Sequence, residues 1–139
     1  MNIIKRFGMV VLLLLLPMTA TACGAGEQTA DGYENASIEH AYEHWQQGEY
    51  SPIPFIMLDV RTPDEYKQGH IAGAKLIPIQ VLKEHLAEVP KDKQVYVYCH
   101  SGARSAKASK MLANNGFTNI ENVMGGIEAW KAASHPVVK

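Results

Sequence analysis

In Val95-Tyr96-Val97-Tyr98-Cys99-His100-Ser101-Gly102-Ala103-Arg104-Ser105, a run of β-branched and aromatic residues leads straight into a cysteine and a small-residue loop. Its first four residues have the composition of a buried strand. From Ala103 or Arg104 the pattern turns helical to about Ala113, and Asn114-Asn115-Gly116 stops it. Cys99 thus stands at the carboxyl end of a strand, on the loop that opens a helix. Strand followed by helix is the repeating unit of a parallel α/β sheet.

The same alternation continues on both sides. Ser37 is placed to cap a helix over Ile38 to Gln47, with Ile38, Ala41, Tyr42 and Trp45 on one face and Gly48 at its end. Phe55-Ile56-Met57-Leu58-Asp59-Val60 reads as a second buried strand. Thr62-Pro63-Asp64-Glu65 has the form of a capping box, with Pro at the first helical position and Gly69 closing the helix. Ala74 to Pro78 is a short apolar stretch before a helix expected over Gln80 to Glu88. Phe117 to Met124 offers a third strand, broken by Gly125-Gly126, and Ile127 to Ala133 a last helix. The expected fold class is α/β: a small, mostly parallel sheet flanked by helices on both faces. Ligands of such sheets bind beyond the carboxyl ends of the strands, where Cys99 lies.

The chain has 139 residues, 47 % hydrophobic and 19 % charged, enough for one globular domain. A net charge of -1 offers no basic surface for nucleic acid. Lys5 and Arg6 precede an apolar run from Met9 to Leu16 broken by Pro17, too short to span a bilayer and laid out as an export signal. Residues 1–22 are read as that signal, 23–36 as a flexible tether and 37–139 as the domain. Removal of the signal takes Lys5 and Arg6, leaving 11 basic against 14 acidic side chains, a balance of -3.

Ala20-Thr21-Ala22-Cys23 resembles a bacterial lipobox, which implies lipidation of Cys23 and a protein held at the cell envelope or in the periplasm. An ordinary signal peptide cut near Ala20 or Ala22 is the other reading. Membrane contact would then come through the lipid anchor alone, since an acidic domain is not drawn to anionic lipid. Cys23 and Cys99 are the chain's two cysteines, so no disulfide framework exists. With Cys23 lipidated, Cys99 is a lone thiol in an oxidising compartment, which calls for a use or for deep burial.

The loop supplies a use. A strand-to-helix turn leaves backbone N–H groups without helical partners, and Gly102 lets successive amides turn inward as an anion-holding nest. The positive end of the following helix, the Arg104 cation and the Ser101 and Ser105 hydroxyls add to that field. A thiol inside such a ring is favoured as thiolate, the nucleophilic form, without a general base. No second Cys lies nearby to resolve it, which disfavours thioredoxin-like chemistry.

Cys99-His100-Ser101-Gly102-Ala103-Arg104-Ser105 resembles the active-site loop of the rhodanese-like family, Cys-x-x-Gly-x-Arg followed by Ser or Thr. Leu58-Asp59-Val60-Arg61, Glu65 and Gly69-His70-Ile71-Ala72-Gly73-Ala74 resemble its second motif. Gly116-Phe117 through Gly125-Gly126-Ile127-Glu128-Ala129-Trp130 resembles its C-terminal segment. The resemblance implies a rhodanese-like fold and Cys99 as a persulfide-forming nucleophile. It also implies a cradle from the amides of His100 to Ser105, with Arg104 helping to bind the donor. The implied reaction is a two-step transfer of sulfane sulfur from a small anionic donor such as thiosulfate to cyanide or a thiol. Neither cofactor nor metal is called for. A thiol-bearing protein is an expected partner, and the chain is expected to be a monomer.

Two alternatives stay in view: a non-enzymatic persulfide carrier or redox partner, and a Cys-dependent phosphatase. Tyrosine phosphatases place five residues between Cys and Arg, whereas four (His100, Ser101, Gly102, Ala103) stand here, making a smaller ring. Asp59 is read as a carboxylate that holds loops together, and Arg61 with Glu65 as a structural ion pair. His40 and His44, four apart among Glu39 and Glu43, are assigned to a solvated helix face rather than to a metal. His70 is assigned to a loop, the backbone N–H of His100 to the cradle, and Trp130, Tyr96 and Tyr98 to packing.

Overall fold

Alternation along one strand divides the core in two. In β5 (Gln94–Tyr98), Val95 and Val97 join one apolar cluster, while Tyr96 and Tyr98 join the other on the opposite face. All four are fully buried, as befits a central strand covered on both sides. The computed structural model describes residues 26–139. Around β5 stand β1 (Glu27–Gln28), β2 (Glu34–Ala36), β3 (Phe55–Asp59), β4 (Lys75–Leu76) and β6 (Ile120–Val123), in the order β1-β2-β6-β5-β3-β4. The pairings are parallel except that β1 runs antiparallel to β2.

Helices cover both faces. Residues of α1 (Ile38–Gln47), α2 (Pro63–Gln68) and α4 (Gly126–Ala132) pack on the cluster of Tyr96, Tyr98 and Trp130. Ala108 and Leu112 of α3 (Ala103–Asn114) close the other face with Leu58, Val60 and Val97. The helix starts follow their local signals. Ser37 accepts from the His40 amide, and Thr62 with Glu65 forms a complete capping box.

Three expectations need correction. Residues 27–36 are not tether: β1 and β2 extend the sheet, and Tyr33 and Ala36 enter the core. Their composition is polar because β1 is an edge strand and β2 lies next to it, away from the centre of the sheet. The segment expected to be helical over Gln80 to Glu88 is a 3-10 helix, Leu82–Glu88, broken at His85. Bracketed by Pro78 and Pro90 and burying only Leu82, it has little to hold a full α-helix. His40 and His44 do not lie on a solvated face. His40 Nε2 sits 3.2 Å from Glu121 Oε2 on β6 and 3.3 Å from the Tyr96 hydroxyl, and the two His rings are 4.8 Å apart. The apolar stripe of α1 settles on the sheet in a way that carries its His edge inward. The proposed signal peptide and Cys23 lie outside the described residues.

Candidate active site

β5 ends at Tyr98 and delivers Cys99 to the carboxyl end of the sheet, beside β3 and β6. The chain then reverses through Gly102, whose φ of 107° only glycine adopts without strain, and α3 begins at Ala103. This turn folds the loop around the sulfur. The Gly102 amide donates to Cys99 Sγ at 3.1 Å, and the Ser105 hydroxyl stands 3.4 Å from it. Cys99 is 1 % exposed, and Ser105 is fully buried.

Burial pushes the thiol pKa up, but hydrogen bonds outweigh it. Donation from the Ser105 hydroxyl, and from the amides of Ser105, Gly102 and Ser101, holds the Cys99 thiol below its usual range. These donors stabilise the charged form only. The site therefore favours the thiolate form without calling on a side-chain base.

The loop is held from behind by α4. Ile127 N–H donates to the Cys99 carbonyl at 2.9 Å, and Glu128 N–H to the His100 carbonyl at 3.1 Å. These carbonyls are thereby tied to α4, leaving the amides of the turn free for the sulfur. The approach is so close that a Cβ on Gly126 would lie 2.5 Å from the Cys99 oxygen. Gly125-Gly126, expected from the sequence as a strand break, also gives the loop this support. The available signal was a doubled glycine directly before a helix, where a backbone can be met at contact distance.

The charged groups pair differently from the sequence expectation. Arg61 does not meet Glu65. It donates to Asp59 through Nε at 2.9 Å and Nη2 at 2.6 Å, and its Nη2 also reaches the Gly69 carbonyl at 2.9 Å. Asp59 accepts from the Arg61 amide as well, at 3.0 Å. Both side chains are buried, and the guanidinium lies 5.6 Å from the centre of the Tyr98 ring. Residues two apart on an extended chain share a face, which is why Arg61 finds Asp59 rather than the helix. This brace fixes the end of β3 to the end of α2.

Glu65 instead faces Arg104. Nη1 and Nη2 donate to Oε2 and Oε1 at 2.8 and 2.6 Å, a two-pronged pair at the mouth of the site. Thr62 orients the carboxylate by donating to Oε2 from its amide and its hydroxyl, each at 3.0 Å. The Arg104 hydrogen bonds bring the Glu65 pKa down to about 2 despite partial burial, with Thr62 assisting. The His100 ring turns to Glu128, 3.1 Å away and well exposed. Ser101 and Ala103 are exposed at the rim. His70 is stacked on Tyr66, with Nδ1 3.0 Å from the Tyr66 carbonyl oxygen. A cavity of about 480 Å³ lined by Trp45, Phe55 and Lys93 opens at the amino ends of β3 and β5, away from Cys99.

A buried thiol beside backbone amides at the end of a parallel strand, its pKa lowered and an Arg-Glu pair at its rim, has the chemistry of a candidate nucleophile site. Known proteins are similar to this chain in sequence. The chain is 45 % identical over 74 residues to YqhL of Bacillus subtilis, covering 53 % of this chain and 59 % of that protein, which is described as uncharacterized. It is 38 % identical over 87 residues to the thiosulfate sulfurtransferase PspE of Escherichia coli, covering 61 % and 72 %. Among solved structures, a rhodanese-related protein from Thermoplasma volcanium superposes with a TM-score of 0.68 at 36 % identity, over 76 % of this chain and 98 % of that one. The rhodanese-like domain model matches residues 37–133, the stretch that builds the cradle, its brace and its backing helix, and so the chain belongs to the rhodanese-like family.

Proposed function

We propose that the protein is a thiosulfate-type sulfurtransferase working through a persulfide on Cys99. The observation that carries this is the sulfur's surroundings: four donors hold the Cys99 thiol below its usual pKa, inside a loop four residues long between Cys and Arg. The thiolate attacks the outer sulfur of thiosulfate. The sulfur–sulfur bond of the donor breaks, sulfite leaves with the electron pair, and the transferred sulfur stays on Cys99 as a persulfide anion. An acceptor nucleophile, cyanide or a thiol, then attacks that outer sulfur and restores the thiolate.

In this scheme the amides of His100 to Ser105 hold the negative sulfur before and after transfer. Arg104, held in place by Glu65, offers its remaining N–H groups to the oxygen end of the donor. PspE, named as a thiosulfate sulfurtransferase, supports the choice of donor class. The domain acts as a monomer outside the cytoplasm, tied to a membrane by a lipid on Cys23, with a thiol-bearing protein as its natural acceptor.

Intact-mass measurement after incubation with thiosulfate tests this. One added sulfur atom is expected, absent in Cys99→Ser and discharged by cyanide with thiocyanate formed. Turnover of an aryl phosphate with no sulfur retained on Cys99 overturns the proposal in favour of phosphatase chemistry.

A further inference from the structure

We propose that the catalytic end of the sheet faces the membrane that anchors the chain, so that Cys99 works against the lipid surface. This rests on the lipid-anchor reading of Cys23 and adds a direction to it.

The direction comes from β1. It runs antiparallel to β2, with Glu27 opposite Asn35 and Gln28 opposite Glu34. Because β2, β6 and β5 are parallel and in register, Asn35 is level with Asn122, and Asn122 with Val97, two residues short of Cys99. Followed backward from Gln28 to Glu27, the chain therefore heads toward the carboxyl ends of the strands. Gly26 still lies against β2, where a Cβ would stand 2.9 Å from the Asn35 carbonyl oxygen.

From Gly26 to Cys23 is three residue steps, a reach of at most about 10 Å whatever the conformation. Sideways, β1 and β5 are separated by three strand spacings, about 14 Å. A five-residue strand such as β5 is about 17 Å long. A leash this short, leaving near the carboxyl ends, cannot lay the amino ends of the strands on the bilayer.

Apolar side chains are exposed at both ends of the sheet, so the direction rests on the strand and the length of chain before it. At the carboxyl end, Met124 after β6 and Val81 beyond β4 are 42 % and 40 % exposed, on either side of Cys99 in the strand order. Near Cys99, Arg104 is paired with Glu65, which limits repulsion of that carboxylate from anionic lipid. Tyr50 and Ile53, the most exposed large apolar side chains among the described residues, lie at the far end, before β3. A site turned this way takes a small donor through the interfacial water layer and favours a thiol acceptor carried at the membrane over a bulky soluble one.

The test uses the full chain recovered from bacterial membranes, its N-terminal peptide weighed for lipid on Cys23. In a Cys99→Ser background, Met124→Cys, Val81→Cys, Tyr50→Cys and Ile53→Cys each carry one fluorophore, after melting curves confirm each fold. The lipidated proteins are placed in vesicles containing nitroxide-headgroup lipid. Labels at Met124 and Val81 are expected to lose most of their emission, and labels at Tyr50 and Ile53 to keep theirs. Equal quenching at both ends, or stronger quenching at Tyr50 and Ile53, overturns the orientation while leaving the anchor intact. A Cys23 without lipid overturns the anchor reading and this inference with it.

Discussion

Replacing Ser105 by Ala removes a donor that serves the charged form of Cys99. The hydroxyl stands 3.4 Å from Sγ and 3.0 Å from the Gly102 carbonyl oxygen, and it has one proton to give. With a neutral thiol the carbonyl takes that proton; with a thiolate the sulfur does. A hydrogen bond to a charged group is worth about 1.5–3 kcal/mol. The lower end applies here, because the hydroxyl gives up the Gly102 bond to serve the sulfur. Since about 1.4 kcal/mol is a factor of ten in an equilibrium constant, losing about 1.5 kcal/mol raises the Cys99 pKa and shifts the balance about tenfold toward the thiol. The sign follows from the donor serving only the anion, so its loss favours the protonated thiol. Below the pKa, the thiolate fraction and the rate of alkylation by iodoacetamide should fall about tenfold. At high pH, where both proteins are ionised, the rates should converge. The assay is the pH profile of alkylation, paired with ultraviolet titration of the thiolate and a melting curve to verify folding. An unchanged profile in a folded Ser105→Ala protein would refute the account of how the sulfur is ionised.

Glu65→Gln tests the rim pair through acid stability. The folded pKa of Glu65 is about 2 against an ordinary 4.5, so its contribution is complete above about pH 5 and is lost as the pH falls toward 2. The melting temperatures of wild type and Glu65→Gln should differ near neutrality and converge in acid. Arg61→Met leaves Asp59 as a buried carboxylate without its ion pair, and urea unfolding should show a loss of about 3–5 kcal/mol. Gly126→Ala puts a Cβ 2.5 Å from the Cys99 carbonyl oxygen at a φ of 58°, so the loop must shift. Sulfur loading should drop sharply in that variant, together with a stability loss of about 1–3 kcal/mol.

Much of the site was legible because its geometry is local. Cys99, Gly102, Arg104 and Ser105 lie within seven residues, and a strand-to-helix turn brings such neighbours together wherever it is placed. The capping box at Thr62 was legible for the same reason. The ion pairs were not. Both Arg61 and Arg104 had a carboxylate within reach in some imaginable fold, and choosing between them requires knowing that α2 lies beside the mouth of the loop. The strands β1 and β2 escaped notice because strands this short and polar carry almost no periodic signal.

Sequence alone determined the alternation of β3, β5 and β6 with the four α-helices, and the strand-to-helix loop on which Cys99 stands, because each depends on residues close along the chain. Tertiary structure decided three things: that Glu65 rather than Asp59 answers Arg104, that Gly126 backs the cradle, and that β1 begins at the catalytic end of the sheet and runs away from it. Each is a contact between elements distant in sequence, fixed by the register and packing of the sheet.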